Sequence, residues 1–334
     1  MRRDQQIEIG YKLTSEEFPA PALVRFARAA EEHGFAFASI SDHYHPWIDR
    51  QGQSPFVWSV IGAIAQVTSK LRVGTGVTCP SFRIHPAIIA QAAATAATML
   101  PGRFFLGLGT GENLNEHILG ERWPEIEIRQ ERLAEAVQFI RMLWHEGQHS
   151  HRGKYFTVEN ARIYSRPDEA PPIMIAAAGP KSVKLAAELG DGLIATEPDR
   201  ELVRKFRESA GAQKPCYGEL HVCFDRDQRK AQKLAHEIWP VAGLPGQLFS
   251  ELPIPSLFEK SAELVSVEQV ARLIPCGPDP EKHLNGIRQY VEAGFDHVFV
   301  HQIGSNQEPF MDFYAKEILP RLAKEVGVRN LRAA

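Results

Sequence analysis

The sequence predicts a single closed (β/α)8 barrel with insertions. Eight short apolar segments rich in β-branched residues alternate with longer helical patterns along the 334 residues. Such alternation is typical of a parallel sheet covered by helices, and eight units over this length favour a closed barrel over an open doubly wound sheet. No shift in composition, internal repeat or low-complexity tract marks a second domain, so we expect one domain over residues 1–334.

Each predicted strand is a run of apolar residues that ends in glycine or polar residues. The eight runs cover residues 7–13, 35–41, 71–77, 104–109, 173–178, 192–196, 218–224 and 298–303. Helical patterns cover residues 22–33, about 125–144 and about 310–325. The turn-forming and β-branched residues of the segment from about 149 to 170 predict a small hairpin. The segment from about 240 to 280 is too irregular for one secondary-structure element and too apolar for a solvated linker. We interpret both as insertions, the second packed near a functional site.

The composition is that of an ordinary globular protein, with 44% hydrophobic and 24% charged residues. The 38 basic and 41 acidic residues give a formal charge of -3, which argues against binding nucleic acid or membrane through bulk charge. The four cysteines lack a CxxC pair, so neither a disulfide framework nor a thiolate zinc site is indicated. Signal-peptide patterns and apolar runs of transmembrane length are absent from the sequence. We expect a soluble cytoplasmic protein that binds neither nucleic acid nor membrane.

Residues that directly follow the strands of such a barrel gather at one mouth, where catalytic groups lie. The candidates at this mouth share a position just after a strand and a polar or turn-forming character. They are Asp42, His43, His45 and Trp47 after the second strand, Gly76, Val77 and Cys79 after the third, Thr110, Gly111, Glu112 and Asn115 after the fourth, Ala178, Gly179, Lys181 and Ser182 after the fifth, Thr196 after the sixth, and His301 at the eighth. We therefore expect one site built from several strands.

Two of these residues are candidates for acid–base chemistry. His43 can move a proton near neutral pH, as a hydride-transfer or hydrolysis site requires. Glu112 follows a Gly-Thr-Gly turn, where backbone N–H groups can approach a ligand closely, and could act as a second acid or base or bind a cofactor ring. The alternative interpretation of Glu112 is a carboxylate at a helix start, stabilised by the helix dipole.

The segment from Gly179 to Ser182 opens a helix directly after a strand. Free N–H groups at a helix N-terminus attract anions, and Lys181 and Ser182 add donors, so this segment is a candidate anion site. An ordinary strand-to-helix turn is the alternative. The turn GLGTGENLN after the fourth strand lacks the GxGxxG spacing, which disfavours a Rossmann dinucleotide site.

His43 and His45 form an HxH pair, which makes a metal-dependent hydrolase a rival interpretation. Such a site would need further ligands from other strand ends, and only Glu112 and His301 could complete it. His45 could instead pack beneath the rim of the barrel. We expect no metal site.

Five motifs occur in order along the chain: ISDHYHPW, VGTGVTCP, HPAIIAQAAAT, FLGLGTGENLNE and IAAAGP. Together they resemble the bacterial luciferase-like flavin/deazaflavin superfamily, and in particular its coenzyme F420-dependent glucose-6-phosphate dehydrogenases. The resemblance spans nearly the whole chain, and the set of motifs is specific although each one alone is weak. It implies a luciferase-like barrel that binds coenzyme F420 in its mouth and passes hydride between a small-molecule substrate and the deazaflavin. A homodimer is expected as well.

The resemblance also assigns roles to residues at the mouth. His43 would transfer a proton, Trp47 would line the reacting face, and Glu112 would be the acid or base close to the ring. The residues in contact with the cofactor would be Asp42, Gly76 and Val77 (joined by a non-prolyl cis peptide bond), Cys79 where the family has threonine, Thr110, Gly111 and Asn115, and, for the phosphate tail, Ala178, Gly179, Lys181 and Ser182.

The sugar-phosphate site of the family uses a threonine, two lysines and an arginine, of which this sequence keeps the threonine as Thr196. The position of the first lysine is Asp199, that of the second lysine falls in the insertion near Phe249, and that of the arginine aligns near Leu273. The alignment of the insertion is loose, so Lys260 or Arg272 could still reach the substrate. A phosphate dianion without those cations loses its charge-assisted hydrogen bonds, so we expect an alcohol, sugar or carbonyl substrate other than glucose 6-phosphate.

The sequence is compatible with four functions. The motif set favours a coenzyme F420-dependent dehydrogenase or reductase that acts on CH–OH groups of a small alcohol, sugar or sugar phosphate. The alternative within the superfamily is an FMN-dependent monooxygenase, which uses reduced flavin and dioxygen. A metal-dependent hydrolase and a cofactor-binding protein without turnover belong to other classes, and the presence of two acid–base candidates disfavours the last.

Overall fold

The strands of the protein divide into a closed parallel barrel of eight and a two-stranded antiparallel hairpin outside it. The computed structural model describes residues 7–326. In chain order the strands are β1 (Glu8–Leu13), β2 (Phe37–Ile40), β3 (Arg72–Thr75), β4 (Phe104–Leu108), β5 (His149–Arg152), β6 (Thr157–Ala161), β7 (Ile173–Ala176), β8 (Gly192–Ala195), β9 (Cys216–Val222) and β10 (His297–Gln302). The order around the barrel is β1-β10-β9-β8-β7-β4-β3-β2. The predicted (β/α)8 barrel is confirmed.

Helices connect successive strands and cover the outside of the barrel. They are α1 (Ala20–Glu32), α2 (Val57–Val67), α3 (Pro86–Met99), α4 (Asn113–Glu116), α5 (Ile126–Trp144), α6 (Pro180–Leu189), α7 (Arg200–Ala210), α8 (Gln228–Ile238), α9 (Gly246–Glu251), α10 (Pro255–Ala262), α11 (Val267–Leu273), α12 (Pro280–Ala293), α13 (Gln307–Phe313) and α14 (Leu319–Val326). Turns of 3-10 helix occupy His117–Leu119 and Pro240–Gly243, and a π-helical turn at Tyr314–Ile318 joins α13 to α14. None of the helices within residues 7–326 is long and apolar enough to cross a membrane.

The amino-terminal end of the barrel interior is filled with aromatic side chains. Phe37, Phe105, Tyr217 and Phe299 project from four strands and contact one another with ring centroids 5.2–6.4 Å apart. Gly74 on β3 faces this layer, where a Cβ atom would lie 2.2 Å from the Phe105 ring. The close packing of rings therefore requires glycine at this position.

Toward the carboxyl ends of the strands, the inward-facing residues become polar. Because successive side chains of a strand point to opposite faces, His301 follows Phe299 on the inner face of β10, and Glu219 and His221 follow one another on the inner face of β9. Lys12 from β1 lies over the Phe299 ring, with its Nζ 5.5 Å from the ring centroid. The change from apolar to polar along the strands places the ionisable groups at one mouth.

Both predicted insertions have defined structures. The first forms the β5–β6 hairpin, and the second, over residues 240–280, contains a 3-10 turn followed by α9, α10 and α11. The second insertion packs on the mouth, because Phe249 and Phe258 contact Trp47 edge to face with ring centroids 4.9 and 5.3 Å apart. This connection is a cap of short helices whose apolar residues are buried against the loop that follows β2.

Strand β2 is shorter than the sequence predicts. The apolar pattern predicts a strand over residues 35–41, whereas β2 spans Phe37–Ile40. Beyond it, the backbone N–H groups of Tyr44 and His45 donate to the side-chain Oδ1 of Asn115 at 2.9 and 3.1 Å. The loop after β2 is therefore held by a side chain of another loop and not by a neighbouring strand.

Candidate active site

A cleft opens at the mouth of the barrel, at the carboxyl ends of β2, β3, β4 and β7. It encloses about 450 Å³, including space open to solvent, and is lined by Asp42, Val77, Cys79, Gly109, Thr110, Gly111, Glu112, Asn115, Glu116 and Ala176. Seven of these residues are candidates from the sequence. The fold therefore brings together residues that follow three separate strands.

His43 and two carboxylates form the centre of the site. His43 Nε2 lies 3.4 Å from Glu112 Oε2 and 3.5 Å from Glu16 Oε1. The other ring nitrogen, Nδ1, lies 3.1 Å from the carbonyl oxygen of His45. A carbonyl oxygen only accepts hydrogen bonds, so Nδ1 carries a proton and Nε2 is the nitrogen that gains or loses one. The imidazole is positioned to exchange a proton with either carboxylate.

Asn115 joins Glu112 to the loop that follows β2. Its Nδ2 donates to Glu112 Oε2 at 2.9 Å, and its Oδ1 accepts the two backbone N–H groups of Tyr44 and His45. The buried amide uses both its donor and its acceptor. It therefore sets the spacing between the His43 loop and the Glu112 turn.

Burial raises the pKa of Glu112 above the usual value for a glutamate side chain. The neighbouring His43 opposes this shift and Glu16 adds to it. A carboxyl group with a raised pKa holds its proton closer to neutral pH than an exposed glutamate does. This property suits a general acid.

Asp42 belongs to a buried ion-pair network that the sequence did not reveal. Its carboxylate accepts hydrogen bonds from Thr78 Oγ1 at 2.7 Å and from Arg83 Nη2 at 2.8 Å. The backbone N–H of Arg83 also donates to Glu116 Oε2 at 2.9 Å. Burial raises the pKa of Glu116 to about 7, although Arg83 opposes the shift. Asp42 and Glu116 thus border the cleft as parts of one network centred on Arg83.

The floor of the cleft is formed by backbone. The peptide bond between Gly76 and Val77 is cis, as the family resemblance implied. Gly111 has a φ of +82°, and a Cβ atom there would lie 2.7 Å from Cys79 Sγ. A Cβ atom at Gly109 would lie 2.7 Å from Val77 Cγ2. A ligand can approach this floor closely because glycine stands at these positions.

Trp47 is buried between the site and the second insertion. Its ring meets the His43 ring edge to face, with centroids 5.0 Å apart, and Phe249 and Phe258 contact it from the insertion. Its backbone N–H donates to Gln51 Oε1 at 2.9 Å. The insertion therefore holds in place the ring that contacts His43.

The predicted anion site lies at the N-terminus of α6, which begins directly after Gly179. Ser182 Oγ accepts hydrogen bonds from the N–H groups of Ala178 and Gly179, at 3.2 and 3.1 Å. Lys181 is exposed and forms an ion pair with Glu127 at 2.7 Å. Ser182 Oγ also donates to the carbonyl oxygen of Gly179 at 2.9 Å, so each of the four predicted tail-binding residues has a donor paired inside the chain.

The predicted substrate residues lie outside the lining of the cleft. Thr196 is exposed after β8, and its carbonyl oxygen accepts a hydrogen bond from Tyr290 Oη at 2.8 Å. Lys260 on α10 and Arg272 on α11 are also exposed. Neither cation is among the residues that line the cleft.

Asp199, Phe249 and Leu273, which the resemblance places at or near the positions of the family's cations, make other contacts or lie exposed. Asp199 Oδ1 accepts hydrogen bonds from the N–H groups of Glu201 and Leu202 and so caps α7. Phe249 covers Trp47. Leu273 is exposed at the end of α11. These three positions therefore offer no positive charge to a substrate.

The HxH pair does not converge on a metal centre. His43 faces the carboxylates described above, whereas His45 Nδ1 lies 2.9 Å from a backbone carbonyl oxygen of α4. Within residues 7–326, the group whose donor atoms come close enough to hold a metal ion is Glu219, His221 and His301. That group contains neither His43 nor His45, which disfavours a metal-dependent hydrolase centre at the HxH pair.

A second group of ionisable residues lies at the same mouth, on β1, β9 and β10. Lys12 Nζ donates to the carbonyl oxygen of the cis peptide at 2.8 Å and lies 3.4 Å from Glu219 Oε2. His301 Nε2 lies 3.1 Å from Glu17 Oε1, and its Nδ1 lies 3.2 Å from His221 Nδ1. Burial lowers the pKa of His221 to about 3, so its imidazole is neutral.

Several of these polar residues belong to sequence patterns that could have identified them as part of the site. Lys12 is a charged residue within an apolar strand pattern, and Glu219 and His221 stand two residues apart on one strand; both patterns mark an inward-facing polar patch. Glu16 and Glu17 are two consecutive acids just after the first strand. Arg83, in contrast, carries no pattern that would mark it.

Comparison with known proteins identifies the family of the chain. A sequence profile described as Luciferase-like monooxygenase matches residues 6–297. The chain belongs to the luciferase-like monooxygenase family. The resemblance inferred from the five motifs is therefore confirmed.

Three similar proteins match this chain over nearly its full length. The F420-dependent glucose-6-phosphate dehydrogenase of Nakamurella multipartita is 37% identical over 333 residues, which cover 96% of this chain and 98% of that protein. The enzyme of the same name from Mycobacterium tuberculosis is 35% identical over 96% of this chain and 99% of its own. An F420-dependent secondary alcohol dehydrogenase, solved in complex with an F420-acetone adduct, is 30% identical with a TM-score of 0.87 and matches 94% of this chain and 98% of that chain.

The raised pKa of Glu116 predicts a pH dependence of stability in this luciferase-like barrel. Between the unfolded value of 4.5 and the folded value of about 7, the folded chain keeps a proton that the unfolded chain releases. The free energy of unfolding should therefore fall as pH rises through this range, by up to about 3 kcal/mol. Urea unfolding at a series of pH values should show a shallower decrease for Glu116→Gln. The exposed Glu263→Gln is the matched control, and equal slopes for Glu116→Gln and the unmodified protein would contradict the prediction.

Proposed function

We propose that this protein is a coenzyme F420-dependent oxidoreductase that transfers a hydride between the deazaflavin and a CH–OH group of a small alcohol, sugar or sugar phosphate. The observation that carries the proposal is the placement of His43 Nε2 3.4 Å from Glu112 Oε2, beside a floor of glycine backbone. The relatives that are 35–37% identical are named as F420-dependent dehydrogenases, and the similar alcohol dehydrogenase structure holds an F420-acetone adduct.

The cleft fits a flat cofactor ring on grounds of its own structure. Gly109 and Gly111 let the β4 turn pack directly on Val77 and Cys79, where Cβ atoms would lie 2.7 Å from each side chain, so the floor is a close-packed surface of backbone that a flat ring could lie against. The residues that would hold the ring are Asp42, Gly76, Val77, Cys79, Thr110, Gly111 and Asn115, and those that would hold the phosphate tail are Ala178, Gly179, Lys181 and Ser182. Bound coenzyme F420 supplies the carbon atom that accepts or donates the hydride.

The side chains around the cleft would manage the protons. Oxidation of an alcohol by hydride loss also releases its hydroxyl proton, so a base must lie near the substrate. His43 Nε2 would accept that proton, because its Nδ1 is fixed on the carbonyl oxygen of His45. Glu112, nearer the glycine floor and with a raised pKa, would hold or release the second proton at its carboxyl group. Both groups would act in reverse when a carbonyl compound is reduced.

The substrate side of the mouth favours a neutral molecule. The half-buried Phe249 packs on the buried Trp47, and the resemblance aligns Asp199 and the neighbourhood of Leu273 with the family's phosphate-binding cations. A phosphate dianion loses its hydration when it binds, and without charge-assisted hydrogen bonds the protein would not compensate that loss. An unphosphorylated alcohol or sugar therefore suits this mouth better than glucose 6-phosphate.

The FMN-dependent monooxygenase is the competing function within the family. Two F420-dependent relatives are 37% and 35% identical over 96% of the chain, which supports coenzyme F420 over FMN. The presence of both acid–base groups at the cleft likewise suits dehydrogenation.

We further propose that the protein acts in the cytoplasm as a homodimer. The dimer is what the resemblance of the five motifs implies, and the cytoplasmic assignment follows from the sequence, which contains no signal-peptide pattern. Sedimentation of the full chain would test the oligomeric state, and a monomer at micromolar concentration would contradict the dimer.

The cofactor assignment predicts that the protein binds coenzyme F420 more tightly than FMN or NADP. Titration followed by fluorescence or visible absorbance measures the three affinities. Gly111→Ala should weaken F420 binding, because its Cβ atom would crowd Cys79 at the floor. Gly102→Ala is the matched control, since Gly102 also has a positive φ, of +68°, but no heavy atom lies within 4 Å of a Cβ built there. Tighter binding of FMN would overturn the assignment.

The missing cations predict that glucose 6-phosphate is a poor substrate. Each lost charge-assisted hydrogen bond costs about 1.5–3 kcal/mol, so kcat/KM for glucose 6-phosphate should be at least ~10-fold below that of the preferred unphosphorylated substrate. A screen of alcohols, sugars and sugar phosphates that follows reduction of the deazaflavin measures this ratio. Efficient turnover of glucose 6-phosphate, abolished by Lys260→Ala or Arg272→Ala, would show that the insertion supplies replacement cations.

The proposed proton transfer predicts distinct effects of two substitutions. His43→Ala should lower turnover by about 10²- to 10⁴-fold, the usual contribution of a positioned acid or base, with cofactor affinity nearly unchanged. Glu112→Gln should also lower turnover and should weaken cofactor binding more. Single-turnover kinetics and cofactor titration of each variant separate the two effects, with His45→Ala as a control on the same loop. Near-normal turnover of His43→Ala across neutral pH would contradict this assignment and would indicate that Glu112 alone or His301 transfers the proton.

A further inference from the structure

Three ligand-type side chains meet at the barrel mouth outside the His43–Glu112 pair. Glu219, His221 and His301, here called the β9–β10 cluster, each offer one donor atom, and these atoms all lie within 4.8 Å of one another. His221 Nδ1 lies 3.2 Å from His301 Nδ1 and 3.7 Å from Glu219 Oε1. The mechanism proposed above uses none of the three.

The barrel itself brings these donors together. β9 and β10 pair in parallel with His221 and His301 as direct partners, so the two rings lie side by side on the inner face. Glu219 precedes His221 by two residues on the same face of β9. Because regular strands hold all three residues, the cluster is rigidly positioned.

Two members of the cluster, His301 and Glu219, are anchored through one atom and leave another atom for a ligand. His301 Nε2 lies 3.1 Å from Glu17 Oε1, and since a carboxylate only accepts, Nε2 carries the proton and Nδ1 keeps its lone pair. A histidine that ligates a metal commonly donates its other ring N–H to a carboxylate in this way. Glu219 likewise uses Oε2 for Lys12, at 3.4 Å, and leaves Oε1 on the side of His221.

The spacing agrees with the coordination of a transition metal. Zinc binds nitrogen and oxygen donors at about 2.0–2.2 Å, which places tetrahedral donors about 3.3–3.6 Å apart. The donor separations of 3.2 and 3.7 Å lie close to that range. Two imidazoles and one carboxylate are also a common ligand set for divalent zinc, cobalt and iron.

The surroundings of the cluster carry an excess of buried carboxylates. The side chains of Glu17 and Glu219 are 4% and 11% exposed; Glu17 faces His301, and the Lys12 ammonium lies 3.4 Å from Glu219. Lys12 also donates to the Gly76 carbonyl oxygen at 2.8 Å. A buried surplus of negative charge is costly unless a cation or a proton compensates it.

We propose that Glu219, His221 and His301 bind a divalent transition-metal ion such as Zn²⁺, with Glu17 as the carboxylate that orients His301. The sequence-based expectation of no metal concerned a site centred on the HxH pair, whereas this site shares only His301 with the ligands considered there. The site stands on its own chain geometry and does not depend on coenzyme F420. Its test therefore leaves the proposed oxidoreductase function to be judged separately.

The test measures binding of the metal alone to the full chain after chelation and dialysis. Titration with Co²⁺ should reveal one saturable site with visible ligand-field absorption, and Zn²⁺ should displace the cobalt. His221→Gln and His301→Gln should abolish this absorption. Glu17→Gln, which removes the orienting carboxylate, should lower metal affinity by about 10–100-fold. Circular dichroism and thermal unfolding of each variant establish that it is folded.

The exposed histidines of the hairpin region provide the matched control. His145, His149 and His151 lie at the end of α5 and on β5 and could bind metal adventitiously. A triple alanine variant at these positions should keep the saturable site. X-ray absorption of the unmodified Zn²⁺ protein should show two imidazole ligands, a readout that requires no variant of the cluster. Absence of a saturable site, or loss of it in the triple variant with retention in His221→Gln, would overturn the proposal.

Discussion

An ammonium group buried inside the barrel links the two sides of the mouth. Lys12 Nζ binds the carbonyl oxygen of the cis peptide after β3 and faces the Glu219 carboxylate on β9. A buried charge without partners is strongly destabilising, so both partners are held in place by the need to compensate it. The floor of the cleft and the β9–β10 cluster consequently share one cation. A substitution on either side is therefore expected to alter the position of Lys12 and, through it, the other side.

Two consecutive acids after β1 distribute negative charge between the two sites. Glu16 faces His43, at 3.5 Å, and Glu17 faces His301, at 3.1 Å. Each histidine thus has a buried carboxylate at its Nε2 atom, although the two rings have different partners at Nδ1. The same loop can support proton transfer at His43 and fixed orientation at His301, because a backbone carbonyl holds one ring and a second imidazole contacts the other.

The second insertion packs against the loop that carries His43. The ring of Phe249 meets Trp47 edge to face. Trp47 in turn contacts the His43 ring. The position of the His43 ring is therefore coupled to the insertion through these aromatic contacts, so a displacement of the short helices is expected to reach the histidine.

The sequence by itself determined the barrel and the identity of the cleft, because alternating apolar strands and helices are local patterns and the carboxyl ends of parallel strands must converge. His43 and Glu112 could be placed at the mouth on that ground. The tertiary structure alone decided the pairing of Arg83 with Asp42 and the bonds of Asn115 to the His43 loop. It also decided the contact between Glu17 and His301, which are 284 residues apart. Such contacts depend on side-chain distances of a few ångströms between remote segments, and no local pattern in a sequence encodes those distances.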